Sequence, residues 1–422
     1  DGTHASQHQL PVQPRADEMV VDDDGLAKSH RMRQGYAAQR THVNVQPLEF
    51  TVHPRHNSPS PVVNNGVGEK RDAGRQVLVH TAGWSHIYVK SRLGHFKIEV
   101  CKRKRMVEDA VILIAVNQRD VASTNQADLL RTWDEWASMD PVEGCPSYAF
   151  HHLRMMYLPD GLLFEDHLDR RWRAATGETV SEVVFPSRHV AASGQASLTL
   201  HPIGVPHLPL NEQGRYGGHG GSAPPPSTRL ATWWKMLLER SHGNNKVEGF
   251  DVSLEVTHHG PTLDVPCLFI EVGSTEATWG HEGAAEVLAG IIRDGLLTEP
   301  NNAWDPAVHA GQLVLVTLGG GHYAPRANQL ASLEGVWLGH MLATYALPFE
   351  QGPDGEVGGR WKQSIRAALD ATRRAFPEGT IVCSMDKKAF KGWQRQAVRE
   401  LLNSEDVPLL TTHQIKERLG LL

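Results

Sequence analysis

With 422 residues, 40% of them apolar and 21% charged, the chain exceeds one small core and predicts an α/β unit of roughly 250–300 residues plus extras. No run approaches the roughly 18 apolar residues of a membrane span; Cys101, Cys145, Cys267 and Cys383 lack CxxC spacing, which argues against a disulfide framework or cysteine zinc ribbon and for a reducing compartment. The net charge of −6 is uneven: residues 1–109 hold 16 Lys and Arg against 12 Asp and Glu, leaving −10 on the remainder, so a nucleic-acid partner requires a local basic patch.

Residues 1–75 are rich in Pro, His, Asn, Gln and Arg without periodicity and are expected to be a disordered extension. The chain begins at Asp1, as a processed product, a fragment or an imperfect gene model would. No apolar signal-peptide core is visible, and Asp17, Glu18 and Asp22 to Asp24 disfavour an organelle transit peptide. Residues 76–109 form a poorly defined extension with two or three short alternating stretches, such as QVLVH and HFKIEV. They end in the basic run Lys102 to Arg105, more often a solvated linker than a nuclear signal or RNA contact.

The globular part is expected from Ala110. AVILIAV has the length and continuity of a central parallel strand covered on both faces. Leu129, Leu130, Trp133 and Trp136 recur at helical spacing behind it. Residues 140–180 are hard to assign, apart from a possible strand ahead of Glu165, Asp166, His167 and Asp169. Strands follow at Val183 to Phe185 and Ser197 to Leu200, each with a histidine, His189 or His201, just beyond. A Gly/Pro loop over 206–226 leads to a helix capped by Ser227 or Thr228. Two β-rich segments, Val252 to Val256 and Cys267 to Val272, follow, and a helix capped by Ser274 or Thr275 runs on to Gly295. After a strand at Leu313 to Leu318 come a GGGHYAPR turn and an apolar segment with His340, read as a helix. The end alternates helix (362–376), strand (380–384), helix (390–402), strand (407–410) and a short helix. The order predicts an α/β three-layer sandwich around a mixed sheet, with a catalytic domain at 110–422.

Three arrangements carry chemistry. In EVTHHGPT, His258 and His259 reach one ion only if the Gly260–Pro261 turn bends the chain, because neighbours on a strand point oppositely. Glu255 and Glu271 lie in segments fit for burial, where a carboxylate costs several kcal/mol unless paired or metal-bound. In GGGHYAPR, Gly319, Gly320 and Gly321 permit positive φ, close approach of substrate and an anion or oxyanion nest ahead of His322 and Tyr323. It is neither a Rossmann fingerprint nor a P-loop. In the third, SRH with LHPIG, His189 and His201 are equally readable as ligands or as structural histidines.

Taken in order, FPSRHVAASGQASLTLHPIG, VSLEVTHHGPT, FIEVGSTEATW, VTLGGGHYAPR and VWLGHMLATYALP resemble the D-aminoacyl-tRNA deacylase family of archaea and plants, over about residues 110–422. VNQRDVASTNQADLL is similar to that family's opening strand and loop, with Val121 in place of a proline, and Met385 to Lys388 to its lysine-containing motif. The resemblance implies a fold similar to the phosphorylase and peptidyl-tRNA hydrolase group. It implies a hydrolase releasing D-amino acid from the 3′ adenosine of mischarged tRNA in the cytoplasm, assisted by zinc, with no membrane and no obligate protein partner. His258, His259 and His322 are then the preferred metal ligands, with His189 and His201 behind them. Glu255, Glu271 or His258 would serve catalysis, and Gly319 to Gly321, Tyr323, Arg326 and Lys387 would bind substrate, with Lys388 and Lys391 near the phosphates. Competing readings are a zinc aminopeptidase or amidohydrolase, a non-catalytic RNA-binding module, and, within the deacylase reading, a metal-free mechanism in which positioning and the substrate's own 2′-hydroxyl activate water. Among bland alternatives, Glu271 pairs with Arg326, and His340 is a satisfied core residue.

Overall fold

The computed structural model describes residues 110–297 and 303–422, and the backbone of three strands before them. Those strands, β1 (Val77–Thr81), β2 (Trp84–Ser91) and β3 (Gly94–Val100), pair antiparallel in sequence order and belong to a unit of their own. The expectations for residues 1–75 and for Lys102 to Arg105 lie outside the described residues.

In the other unit, β4 (Val111–Asn117) is the predicted central strand. Its alternation divides two cores: Ile112, Ile114 and Val116 enter one, Val111, Leu113 and Ala115 the other. The helix α1 (Val121–Trp133) starts well before the first of its predicted apolar positions, Leu129, because Asp120 caps it by accepting from the N–H groups of Ala122 and Ser123. Trp136 therefore lies beyond it. The span that resisted reading holds β5 (Ala137–Val142), β6 (Cys145–Phe150), β7 (Leu153–Leu158) and α2 (Leu168–Thr176).

Next come β8 (Val180–Arg188), β9 (Ser197–His201), α3 (Leu230–Ser241), β10 (Asp251–Leu254) and β11 (Cys267–Gly273). Ser227 accepts from Arg229 N–H, but α3 begins beyond both expected caps. The helix expected after β11 is broken into α4 (Glu276–Trp279) and α5 (Glu282–Leu297). Eight strands form one mixed sheet in the order β10-β9-β11-β8-β4-β7-β6-β5. Its two faces are covered by α1, α3 and α5 on one side and α2 on the other.

The remainder holds α6 (Pro306–His309), β12 (Leu313–Leu318), α7 (Pro325–Ala331), β13 (Val336–Leu342), the short pair β14 (Glu350–Gln351) and β15 (Val357–Gly358), α8 (Trp361–Ala375), β16 (Thr380–Met385), α9 (Gly392–Ser404) and α10 (Thr412–Arg418). Here β13, β12 and β16 make a second, parallel sheet. His340 thus lies on a strand and not in a helix: seven consecutive buried residues suit a strand covered on both faces as well as a buried helix. Residues 407–410 contribute only an isolated bridge, Leu409 to Cys383. The edge strand β10 continues toward the second sheet, where Val256 N–H donates to His322 O (2.9 Å) and Thr257 N–H to Met341 O (2.7 Å).

Candidate metal centre

β10 and β11 do not form a hairpin, because β9 lies between them, parallel to β10 and antiparallel to β11. The alternation that sends Leu198, Leu200, Leu254, Ile270 and Val272 into one core aims the residues between them at the opposite face. Thr199 pairs with Glu271 and His201 with Phe269, while Glu255 N–H donates to Leu200 O, so His201, Glu255 and Glu271 share that face. His189 follows β8, its N–H donating to Val272 O (2.9 Å). The pair His258 and His259 stands beyond β10. His259 adopts a left-handed φ of 41°, costly for a residue with a side chain, and both imidazoles come together at 4.3 Å between ring centroids. The glycine turn after β12 delivers His322.

Each of three imidazoles is held by a backbone carbonyl. His201 Nδ1 donates to Pro202 O (3.1 Å), His258 Nδ1 to Val256 O (2.8 Å) and His259 Nδ1 to Gly260 O (2.6 Å). This tautomer leaves every Nε2 with a free lone pair. One ligand atom from each of these three residues lies within 4.8 Å of the others, and so it does for His189, Glu255 and His322, and for His201, Glu255 and Glu271. His322 Nε2 donates to Glu255 Oε2 (2.9 Å), and His189 Nδ1 lies 3.2 Å from Glu255 Oε1 and 3.5 Å from Glu271 Oε2. His201 Nε2 is 3.6 Å from Glu271 Oε2.

The carboxylates of Glu255 and Glu271 are 0% and 3% exposed. Burial pushes both pKa values up, yet the surrounding imidazoles win and hold both carboxyls below their ordinary range. His189 is the counterpart: burial lowers its pKa, but Glu255 and Glu271 raise it to about 9. His259, buried beside His201, drops to about 3, and His258 also falls well below the usual imidazole value through burial and its histidine neighbours. The cluster therefore sets two neutral imidazoles, His258 and His259, ready to donate lone pairs, beside ionised carboxylates whose field raises the pKa of His189 and His201 against the effect of burial. His189 Nδ1, His201 Nε2 and Glu255 Oε1 are buried without a properly oriented hydrogen-bond partner, as unfilled ligand atoms would be. The residues fit a divalent metal.

Every sequence-predicted ligand is thus brought together, His189, His201, His258, His259 and His322, along with the two predicted catalytic carboxylates, Glu255 and Glu271. Tyr323 stands at the edge, its hydroxyl 3.3 Å from His189 Nε2 and the residue 37% exposed. The anion nest over Gly319 to Gly321 does not form as expected. Gly319 N–H donates to Leu342 O and Gly320 N–H to Thr344 Oγ1, so two of its three donors are used by the fold. Gly319 and Gly320 do hold φ of 83° and 98°, and a Cβ on Gly319 would meet the Phe390 ring. Glu271 does not pair with Arg326, whose Nη1 donates to Thr412 Oγ1 instead. Arg326 and Lys387 line a separate cleft. His340 is the satisfied core residue expected of it: Thr257 Oγ1 donates to Nδ1, and Nε2 donates to Pro224 O.

Two residues that position the centre escaped the sequence. Asp120, besides capping α1, accepts from Arg188 N–H (2.9 Å) next to His189. Asn328 of α7 accepts from Leu254 N–H (2.8 Å) and donates to Tyr323 O (3.0 Å), tying β10 to the turn that carries His322. Their signals, an Asp ahead of a helix and an Asn in the motif's own helix, were present but pointed only to local structure.

The chain is similar to known proteins of one family. The family model for D-aminoacyl-tRNA deacylase matches residues 176–410, a span containing all seven cluster residues. The D-aminoacyl-tRNA deacylase of Arabidopsis thaliana is 40% identical over 309 residues, 70% of this chain and 97% of that protein. That of Methanosarcina barkeri is 29% identical over 316 residues, 73% and 92% of the two chains. A crystal structure of a conserved protein of unknown function shares the fold at a TM-score of 0.59 and 23% identity, covering 74% of this chain and 98% of that one. By family match and by identity to its plant relative, the chain belongs to the D-aminoacyl-tRNA deacylase family.

Proposed function

We propose that the chain hydrolyses the ester joining a D-amino acid to the 3′ end of tRNA, releasing both, and that the reaction takes place at the His/Glu cluster. One observation carries the assignment of the site: three imidazoles pinned at Nδ1 converge through Nε2 beside two buried carboxylates. Histidines with a purely structural role give no reason to bury two carboxylates among them.

The donor set suits zinc, held by His201, His258 and His259, with His189, His322 and Glu255 as further ligands. Bound there, zinc supplies Lewis-acid chemistry, polarising the ester carbonyl and drawing the pKa of water towards ~7. The chain's own groups do the rest. Glu271, kept ionised by His189 and His201, is the general base that takes a proton from the attacking water. Glu255 anchors His322 and His189. Tyr323, half out in solvent beside His189, flanks the substrate. No described helix is long and apolar enough to cross a membrane, and the free thiols of Cys145, Cys267 and Cys383 suit the reducing cytoplasm where charged tRNA is used.

The decisive assay compares D-tyrosyl-tRNA with L-tyrosyl-tRNA, each with and without chelator. Cleavage of the D-ester, abolished by chelator and restored by zinc, is expected. Survival of both esters would remove the deacylase reading; undiminished cleavage in chelator would remove zinc and leave the rest.

A further inference from the structure

Resting on the reading of aminoacyl-tRNA as substrate, we infer that a cleft beside α7 and α9 is a second site, which grips the phosphodiester backbone of the acceptor strand while the 3′ end occupies the His/Glu cluster. The cleft has a volume of about 450 Å³, within the roughly 300–1,000 Å³ of ligand sites. Arg326, Lys387, Lys388 and Arg399 line it. None of the four forms an ion pair with a carboxylate among the described residues. The one acidic residue of the lining, Asp386, instead uses its carboxylate to accept from Lys388 N–H. On a body carrying −10 from Ala110 onward, four such cations in one depression are the local basic patch that RNA binding demands.

Arg326 adds a second observation. Its Nε is buried without a partner, a costly state for a guanidinium donor, and one that a phosphate oxygen relieves. No Phe, Tyr or Trp lines the cleft, and His413 is its one ring, whereas sites that read bases usually offer aromatic faces for stacking. Four cations around a single imidazole fit backbone contact. The cleft and the cluster also share one turn. Asp386 N–H donates to Leu318 O (2.9 Å), immediately before Gly319, and Arg326 follows His322 by four residues. Between them Gly321 offers no side chain, and open space where one would stand. A single strand passing over this glycine connects the two.

The test measures kcat and KM of the wild type and of an Arg326→Gln/Lys388→Gln variant across a salt series. The substrates are D-tyrosyl-tRNA and the D-tyrosyl ester of adenosine, which carries no phosphate. The variant should raise KM for the tRNA ~10-fold or more, and flatten the slope of log(kcat/KM) against log salt by about 0.7–0.9 for each phosphate that is no longer neutralised. Lys387→Glu/Arg399→Glu, at exposed positions, repeats the test where folding is not at stake. An unchanged KM and salt slope for tRNA would overturn the proposal, as would equal losses on both substrates. A wild type inactive on the tRNA would instead sink the deacylase reading and this site with it, a result distinct from an active enzyme indifferent to the substitutions.

Discussion

The backbone bonds at Nδ1 of His201, His258 and His259 matter because a neutral imidazole can bind a metal only through the nitrogen that lacks the proton. With Nδ1 occupied by a carbonyl, Nε2 is the ligand atom without any reorganisation. His258→Ala and His259→Ala should each lower deacylation by at least ~100-fold and reduce bound zinc, measured on the same preparation. A variant that keeps its zinc but loses activity would point to proton transfer by that histidine instead. His340 makes a contrasting prediction about pH. It is fully buried and its pKa is depressed to about 4 by burial, so the unfolded chain takes up a proton, below about 6.5, that the native protein refuses. Its contribution to stability is complete above that value and lost as pH falls toward 4. The linked loss between about pH 7 and about pH 5 is about 2 kcal/mol, and in His340→Gln this component of the pH dependence should vanish from urea-unfolding curves.

At the scale of elements, the strands with long apolar runs, β4 and β12, were legible because burial on both faces leaves no polar alternation to confuse. The same feature made β13 read as a helix. The strands β5 to β7 escaped because β5 is an exposed edge with a register shift between Met139 and Val142. At the centre, residue types and order were readable, but the insertion of β9 between β10 and β11 was not. Neighbouring β segments suggest a hairpin, and only long-range pairing overrules it. The glycine turn misled for a related reason: the acceptors for its N–H groups, Leu342 and Thr344, are over twenty residues away. Asn328 joins two of these elements. Asn328→Ala leaves Leu254 N–H without its acceptor and removes one of the two donors to Tyr323 O; an unsatisfied buried group costs about 1–3 kcal/mol. The expected outcome is a lower Tm and, because the His322 turn loosens, a lower kcat. Asp120→Ala should destabilise by about 0.5–2 kcal/mol through the lost cap and weaken zinc retention through Arg188 and His189, readable by chelator competition.

For the whole molecule, the proposed zinc site would link metal binding to folding. A metal present at about 1,000 times its dissociation constant adds about 4 kcal/mol to stability, so chelator should lower Tm by several degrees in addition to stopping turnover; an unchanged Tm would place the ion outside the folded core. The bonds from Val256 to His322 and from Thr257 to Met341 give this linkage a direction. They stitch the edge of the eight-stranded sheet to the three-stranded one at the point where His322 meets Glu255. Parting the two sheets would take His322 away from Glu255 and the rest of the cluster, and by thermodynamic reciprocity the factor by which parting weakens a bound ion's hold is the factor by which the ion suppresses parting. Hydrogen exchange at the Val256 and Thr257 amides should slow when zinc is added and quicken when it is withdrawn, so that two backbone protons report the state of the enzyme without any substrate being turned over.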